Sequence, residues 1–210
     1  MKTTTRMLRA ILIFVFLLEG SQTLLAQTST LPTQDVCVGS LAEPYVINPP
    51  TTGSTYQWTL TGGGVIVSGQ GSDTIAIDWG IIAGGPHTLS IVETDATGCI
   101  GPPQIVDVTL IDAAIADAGL PADVCEGSSH TIVGATASNN TGISWSTTTG
   151  GTFSGGSTLT PTYTPSAADI TAGSVTLTLT ATGNVPCADA ISTMILIIVP
   201  TPTPGPIYHN

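Results

Sequence analysis

The sequence contains one pattern of cysteines and tryptophans twice, and this duplication constrains the fold more than any other feature. Two pairs of cysteines have the same spacing of 62 positions: Cys37 with Cys99, and Cys125 with Cys187. Residues 35–40 (Asp-Val-Cys-Val-Gly-Ser) match residues 123–128 (Asp-Val-Cys-Glu-Gly-Ser). Trp58 and Trp145 follow the first cysteine of their copies by 21 and 20 positions. An offset of 88 residues indicates a domain duplication, because the repeats of solenoids have about 20–50 residues.

Apolar and polar side chains alternate along several segments of both copies, for example 55–60 and 174–181. A period of two is that of a strand with one buried face. Turns rich in glycine and proline separate these segments. A helical turn is expected only at 166–169, where Ser166 can cap it and Asp169 lies near its positive end. The sequence therefore predicts an all-β fold of two tandem antiparallel β-sandwiches.

Residues 1–26 have the features of a secretory signal peptide. Lys2, Arg6 and Arg9 form a basic start, and the apolar run 10–18 follows. That run is shorter than the about 20 residues that cross a bilayer as a helix, and it has the length of a signal-peptide core. We predict cleavage after Ala26 and a secreted or cell-surface location without membrane insertion. An uncleaved membrane anchor is the alternative.

Removal of this segment would leave a chain without any lysine or arginine. All three basic side chains lie within residues 1–26, whereas 13 of the 14 carboxylates lie beyond it. Nucleic acids and anionic membranes are bound through lysine and arginine. The predicted partners therefore do not include either of them.

The boundary between the two predicted domains lies in a short stretch of small residues at 112–121. We expect the first sandwich to span 27–113 and the second 114–200. Residues 201–210 are rich in proline, which favours an extended conformation. This tail has the composition of a linker toward a further module.

Four cysteines allow three pairings. The equal spacing favours one bridge in each copy, Cys37–Cys99 and Cys125–Cys187. Bridges of this kind form in oxidising compartments, which agrees with export.

The first copy resembles the PKD-like domains of Bacteroidetes surface proteins. The matching runs are Tyr-Gln-Trp-Thr at 56–59, Ile-Ala-Ile-Asp-Trp-Gly at 75–80 and Glu-Thr-Asp-Ala-Thr-Gly-Cys at 93–99. The second copy resembles the Ig-like modules of the same proteins, for example at 163–170. Such modules occur in large secreted or surface-attached proteins, including gliding-motility-associated adhesins. The resemblance implies a PKD-like sandwich followed by an Ig-like sandwich, and a structural or adhesive role.

The sequence shows no constellation typical of catalysis, and we predict that the chain is not an enzyme and needs no cofactor. No two histidines have the spacing of metal ligands. Glu43, Glu93 and Glu126 could serve glycoside hydrolysis only as a facing pair of carboxylates. Their spacing does not favour such a pair, and solvated surface groups are the alternative.

Four aspartates surround the predicted domain boundary: Asp107, Asp112, Asp117 and Asp123. An oxygen-rich site at this junction could bind Ca²⁺ and stiffen the chain. The spacing of the four residues does not match an EF-hand loop. Simple surface acidity is the alternative interpretation.

The aromatic residues suggest a second function. Trp58 and Trp145 lie on the apolar faces of predicted strands and are expected in the two cores. Trp79 lies beside Gly80 near a strand end, where its ring could be partly exposed to solvent. It is a candidate for stacking on a sugar, and Tyr45 is a possible second one. The sequence predicts a non-catalytic structural or adhesive module whose partners are other modules of the same protein, proteins or glycans. The alternative is a carbohydrate-binding module.

Overall fold

The computed structural model describes residues 33–207 and residue 209. This part of the chain consists almost entirely of strands, arranged as two tandem β-sandwiches. The predicted all-β fold is therefore confirmed. The predicted signal peptide lies outside the described residues.

The first sandwich has seven strands in the part of the chain that begins at residue 33. They are β1 (Thr33–Cys37), β2 (Glu43–Val46), β3 (Thr55–Thr61), β4 (Gly64–Ser68), β5 (Thr74–Trp79), β6 (Gly84–Thr94) and β7 (Gln104–Ile111). One sheet has the order β1-β7-β6-β3 and the other the order β2-β5-β4. Strand β1 pairs with β7 in parallel, whereas β7 with β6 and β6 with β3 are antiparallel pairs.

The second sandwich has nine strands and one helix within residues 115–199. They are β8 (Ile115–Asp117), β9 (Ala122–Cys125), β10 (His130–Thr131), β11 (Thr136–Ser138), β12 (Asn140–Thr147), β13 (Thr152–Ser154), β14 (Thr162–Thr164), α1 (Ala167–Ala172), β15 (Ser174–Gly183) and β16 (Ala190–Val199). Its largest sheet has the order β9-β16-β15-β12. A sheet of β10-β14-β13 and the pair β8-β11 complete it.

The large sheets of the two sandwiches have the same topology. In each, the strand that ends in the first cysteine (β1 or β9) pairs in parallel with the last strand (β7 or β16). Two antiparallel strands follow across the sheet. Cys37 lies opposite Ile111 in the first copy, and Cys125 lies opposite Val199 in the second. The duplicated sequence is therefore a duplicated strand arrangement in which the first cysteine of each copy lies at the end of the last strand.

Each sandwich has its own core, and the two cores share no residue among those described. Trp58 is buried in the first core and Trp145 in the second. Their indole N–H groups donate to equivalent carbonyls, that of Ser72 at 2.9 Å and that of Thr158 at 3.1 Å. A buried indole needs such an acceptor, so the two tryptophans fill the same position in the two copies.

The predicted helical turn is confirmed as α1, with Ser166 at its N-cap. The hydroxyl of Ser166 accepts from the backbone N–H of Asp169 at 3.2 Å, and the Asp169 carboxylate accepts from the backbone N–H of Ser166 at 2.7 Å. This reciprocal pair is a capping box. Among the described residues no helix is long and apolar enough to cross a membrane.

Gly151 lies against the buried ring of Tyr163, and we expect Gly151→Ala to destabilise the second sandwich by roughly 1–3 kcal/mol. A Cβ atom at this position would overlap the phenol and come within 2.8 Å of the Thr164 carbonyl oxygen. The matched control is Gly142→Ala, since a Cβ at the exposed Gly142 meets nothing within 4 Å. Urea unfolding of both variants checks this. Equal midpoints for the two would contradict it.

Candidate functional site at the junction of the two sandwiches

A disulfide bond joins the two sandwiches. It connects Cys37 at the end of β1 with Cys187 in the turn between β15 and β16, with an S–S distance of 2.12 Å and a Cα–Cα distance of 5.0 Å. Cys187 is buried and Cys37 is half-buried. The Cys187 sulfur also lies 3.4 Å from the carbonyl oxygen of Ile111, the last residue of β7. The bond therefore lies where the chain passes from the first sandwich to the second.

Backbone hydrogen bonds hold Cys37 in place. The N–H of Val38 donates to the carbonyl of Ile111 at 3.0 Å, which extends the pairing of β1 with β7 by one residue. The hydroxyl of Ser40 donates to the Cys37 carbonyl at 2.9 Å. Gly39 has a φ of 72°, a value that favours glycine over other residues, and it allows the chain to turn there.

The turn that carries Cys187 is fixed by polar groups. The N–H of Cys187 donates to the Asn184 carbonyl at 2.7 Å. The Asp189 carboxylate accepts from the N–H of Gly183 at 2.9 Å, which ties the two ends of the turn together. Both partners of the disulfide are thus held by local hydrogen bonds on their own sandwich.

The predicted pairing of cysteines within each copy is wrong. Strands β1 and β7 run in parallel, so Cys37 lies beside Ile111 at the end of β7, whereas Cys99 lies in the turn before β7 begins. An eight-residue strand is roughly 25 Å long, and a disulfide needs Cα atoms within about 7 Å of each other. In the second copy β16 separates Cys125 from Cys187 in the same way.

Apart from the disulfide and the chain itself, little joins the two sandwiches. No strand of the first packs extensively on a strand of the second in the described part of the chain. Cys99 and Cys125 are both exposed and both unpaired. The disulfide is therefore a covalent link between two sandwiches whose strands pack little on each other.

The predicted calcium ligands are not brought together. Asp107 lies opposite Thr33 in the middle of β7, and it accepts from the hydroxyl of Thr88 at 3.0 Å. Asp117 instead accepts from the N–H of Gly119 at 2.9 Å. Within the residues that the structure describes, no three histidines, cysteines or carboxylates lie close enough to share a metal ion.

Trp79 is not an exposed stacking platform, which corrects the prediction for this residue. It is only 3% exposed, and its ring lies over Gly64 on the neighbouring strand. Tyr45 is half-buried and contacts Trp79 edge-on, with 6.2 Å between the ring centroids. Both side chains therefore belong to the packing of the first sandwich.

The surroundings of Tyr45 disfavour its ionisation. Burial raises the pKa of Tyr45, and the neighbouring Glu43 carboxylate raises it further. The indole of Trp79 opposes this only in part. Burial also raises the pKa of Glu43. Burial therefore favours the protonated forms of both Tyr45 and Glu43.

The three glutamates considered for hydrolysis lie on separate elements. Glu43 is on β2, Glu93 is on β6 opposite Tyr56, and Glu126 follows β9 in the second sandwich. Glu126 accepts from the N–H of Thr201 at 3.4 Å. A catalytic pair would face across a cleft, and neither of the two described cavities, at residues 50–73 and 117–194, is lined by a glutamate.

Sequence reasoning missed the most polar element of the second core, the fully buried side chain of Asp169. One of its oxygens accepts from the Tyr163 hydroxyl at 2.8 Å, and from the N–H and hydroxyl of Ser166 at 2.7 and 2.8 Å. Burial raises the pKa of Asp169, but the nearby Thr149 side chain and the hydrogen bonds from Ser166 and Tyr163 outweigh burial and lower the pKa overall. The capping signal predicted the helix start, and it carried no sign of this burial.

Comparison with solved structures gives fragments of cadherins and protocadherins at low identity. Drosophila N-cadherin EC1-3 matches with 14% identity and a TM-score of 0.34, over 81% of this chain and 65% of that one. Drosophila N-cadherin EC1-4 matches with 15% identity and a TM-score of 0.33, over 80% of this chain and 48% of that one. Human mucin-like protocadherin EC1-2 matches with 14% identity and a TM-score of 0.31, over 80% and 96% of the two chains. This chain thus spans two thirds or less of the N-cadherin fragments.

Comparison with sequences gives one family. No curated protein sequence matches the chain. The model of the PKD-like domain family matches residues 24–102, a segment that includes β1 to β6 of the first sandwich. The first of the two sandwiches is therefore similar to PKD-like domains.

Proposed function

We propose that this chain is a non-catalytic structural or adhesive module of an exported protein, located outside the cytoplasm at the cell surface or in the medium. The observation that carries the proposal is the disulfide between Cys37 and Cys187, which joins two sandwiches that otherwise pack little against each other. Disulfides persist in oxidising compartments and are rare in the cytosol. A covalent bond at a domain junction suits a stiff spacer that presents neighbouring modules.

We infer that the PKD-like sandwich extends over 27–113, the Ig-like sandwich over 114–200, and a proline-rich linker over 201–210, after a signal peptide of residues 1–26. Two separate cores, with members at 36–110 and 118–198, support a boundary between 110 and 118. The partners would be other modules of the same surface protein, and proteins or glycans outside the cell. Residues after Arg9 contain no lysine or arginine, which disfavours nucleic acids.

The stiffness of the two-sandwich unit can be measured with the chain's own thiols. Cys99 and Cys125 are exposed and unpaired, so both accept a spin label while the disulfide stays intact. We expect a narrow distribution of label distances, on the order of 60 Å from the lengths of β7 and β16. The Cys37→Ser/Cys187→Ser variant has the same two labelling sites, and its distribution should be clearly broader.

Pulsed electron–electron double resonance measures the distribution of label distances in the two labelled proteins. Circular dichroism serves as the control that both sandwiches remain folded in the variant. An equally narrow distribution without the disulfide would show that the bond does not stiffen the junction, and the spacer proposal would fail.

A further inference from the structure

The two unpaired cysteines are the structural equivalents of the two that form the disulfide. Cys125 occupies in the second sandwich the place of Cys37 in the first, and Cys99 occupies in the first sandwich the place of Cys187 in the second. They lie at opposite ends of the described two-sandwich unit. Each end of the unit therefore carries one of the two cysteines that a disulfide of the Cys37–Cys187 kind requires.

The surroundings of Cys125 match those of Cys37. The residue after it, Glu126, donates its N–H to the Val199 carbonyl at 2.8 Å, as Val38 does to Ile111. The Cys125 carbonyl accepts from the N–H of Ser128 at 3.0 Å, as the Cys37 carbonyl does from Ser40. The strand end that presents the cysteine is therefore built in the same way in both copies.

The turn that carries Cys99 is held by an aspartate, as is the turn of Cys187. The Asp95 carboxylate accepts from the N–H of Cys99 at 2.8 Å and from the N–H and hydroxyl of Thr97 at 2.8 and 2.7 Å. These hydrogen bonds, the Thr97 hydroxyl first, lower the pKa of Asp95. The turn is thus fixed with its cysteine exposed at the end of the first sandwich.

We propose that these two sites join copies of this chain head to tail, through a disulfide between Cys125 of one copy and Cys99 of the next. The inference goes beyond the proposed function and does not rest on it, because it follows from the equivalence of each site with one side of the Cys37–Cys187 bond. A contact between two different surfaces does not close on itself in a dimer, so it propagates as a linear chain or closes as a larger ring. The junction between two copies would consist of the same parts as the junction within the chain: a strand end with one cysteine, a turn with the other, and the disulfide between them.

Formation of this bond needs an oxidant with a disulfide, such as oxidised glutathione. The Cys125 thiolate attacks one of its sulfurs, forms a mixed disulfide and releases one glutathione thiolate. The Cys99 thiolate of the next copy then attacks the Cys125 sulfur of that mixed disulfide and releases the second glutathione. Two protein thiols lose two electrons and two protons, and one molecule of oxidised glutathione is reduced to two thiols.

The test uses two single variants of the full chain in a buffer of reduced and oxidised glutathione. Cys99→Ser retains only Cys125 as a free thiol, and Cys125→Ser retains only Cys99, so each can supply one side of the junction. Their mixture should form a disulfide-linked dimer at least about tenfold in excess of either homodimer, a ratio equivalent to about 1.4 kcal/mol of preference. The unaltered protein should give a ladder of longer oligomers.

Non-reducing electrophoresis and mass spectrometry after chymotrypsin cleavage identify the linked peptides, since trypsin has no site beyond Arg9. A peptide linking Cys125 to Cys99 in the mixture, with each variant alone remaining monomeric, is the expected result. Homodimers that form as readily as the mixed dimer would mean unselective thiol pairing and would overturn the proposal. A mixture that stays monomeric with both thiols free would overturn it as well.

Discussion

Replacing both Cys37 and Cys187 by serine is expected to lower the free energy of complete unfolding by about 5 kcal/mol. The bond links residues 150 positions apart, and closing a loop of that length removes much of the conformational entropy of the unfolded chain. The effect should be largest for complete unfolding, because the two cores are separate and either sandwich can unfold while the other stays folded.

Urea unfolding followed by tryptophan fluorescence measures this loss, since Trp58 and Trp145 report on different cores. In the variant we expect the transitions of the two sandwiches to separate. Cys99→Ser/Cys125→Ser is the matched control, because it removes two cysteines that are exposed and unpaired. It should change stability by less than about 0.5 kcal/mol. A double variant at the junction that unfolds at the same urea concentration as the control would refute the expectation.

Replacing Asp169 by alanine is expected to destabilise the second sandwich by about 3 kcal/mol, the cost of leaving buried polar groups without partners. The Tyr163 hydroxyl would lose its acceptor, and the capping box of α1 would lose its carboxylate. Asp169→Asn retains an oxygen acceptor in the same place, so it should lose clearly less stability. Thermal unfolding of both variants checks this, and equal losses would contradict the assignment of the effect to the missing acceptor.

The contribution of Asp169 should also depend on pH. Its pKa is lowered in the folded protein, so its ionised form stabilises the fold at pH values above the ordinary aspartate pKa of about 4. This stability is lost as the pH falls through the lower, folded-state pKa. The difference between the unaltered protein and Asp169→Asn should therefore be largest near neutral pH and shrink toward pH values below about 4. A constant difference across that range would count against it.

The strands and the helix start could be predicted because their signals are local. The alternation along 55–60 places Tyr56 and Trp58 in the core, and the structure buries both. The sequence Ser-Ala-Ala-Asp at 166–169 has a capping residue and an acceptor three positions apart, which is the spacing a capping box needs. Neither inference depends on which strands become neighbours.

The disulfide could not be predicted because it depends on strand order. Equal spacing in the two copies shows only that the two cysteines of a copy occupy equivalent places in the fold. Whether Cys37 meets Cys99 or Cys187 is decided by the parallel pairing of β1 with β7, which places Cys37 at the end from which the chain leaves the sandwich. An antiparallel first strand would have placed it at the other end, near Cys99.

The burial of Trp79 likewise depends on a neighbouring strand. Its place beside Gly80 suggested a strand end open to solvent. In the structure Trp79 pairs with Gly64, whose missing side chain leaves room for the indole ring. Gly64 is the residue that indicates the burial of Trp79. Its position opposite Trp79 is known only when the register of β4 with β5 is known.

The position of the disulfide also determines how the chain would carry tension. A pull applied at Thr33 and Val199 passes along β1 to Cys37, crosses the sulfur–sulfur bond to Cys187, and leaves through β16. The residues at 38–186 lie inside the closed loop and are not stretched by it, even if their sandwiches unfold. The segment can then lengthen only by the residues outside the loop, each adding at most about 3.6 Å. Under load this chain would behave as a short tether of nearly constant length.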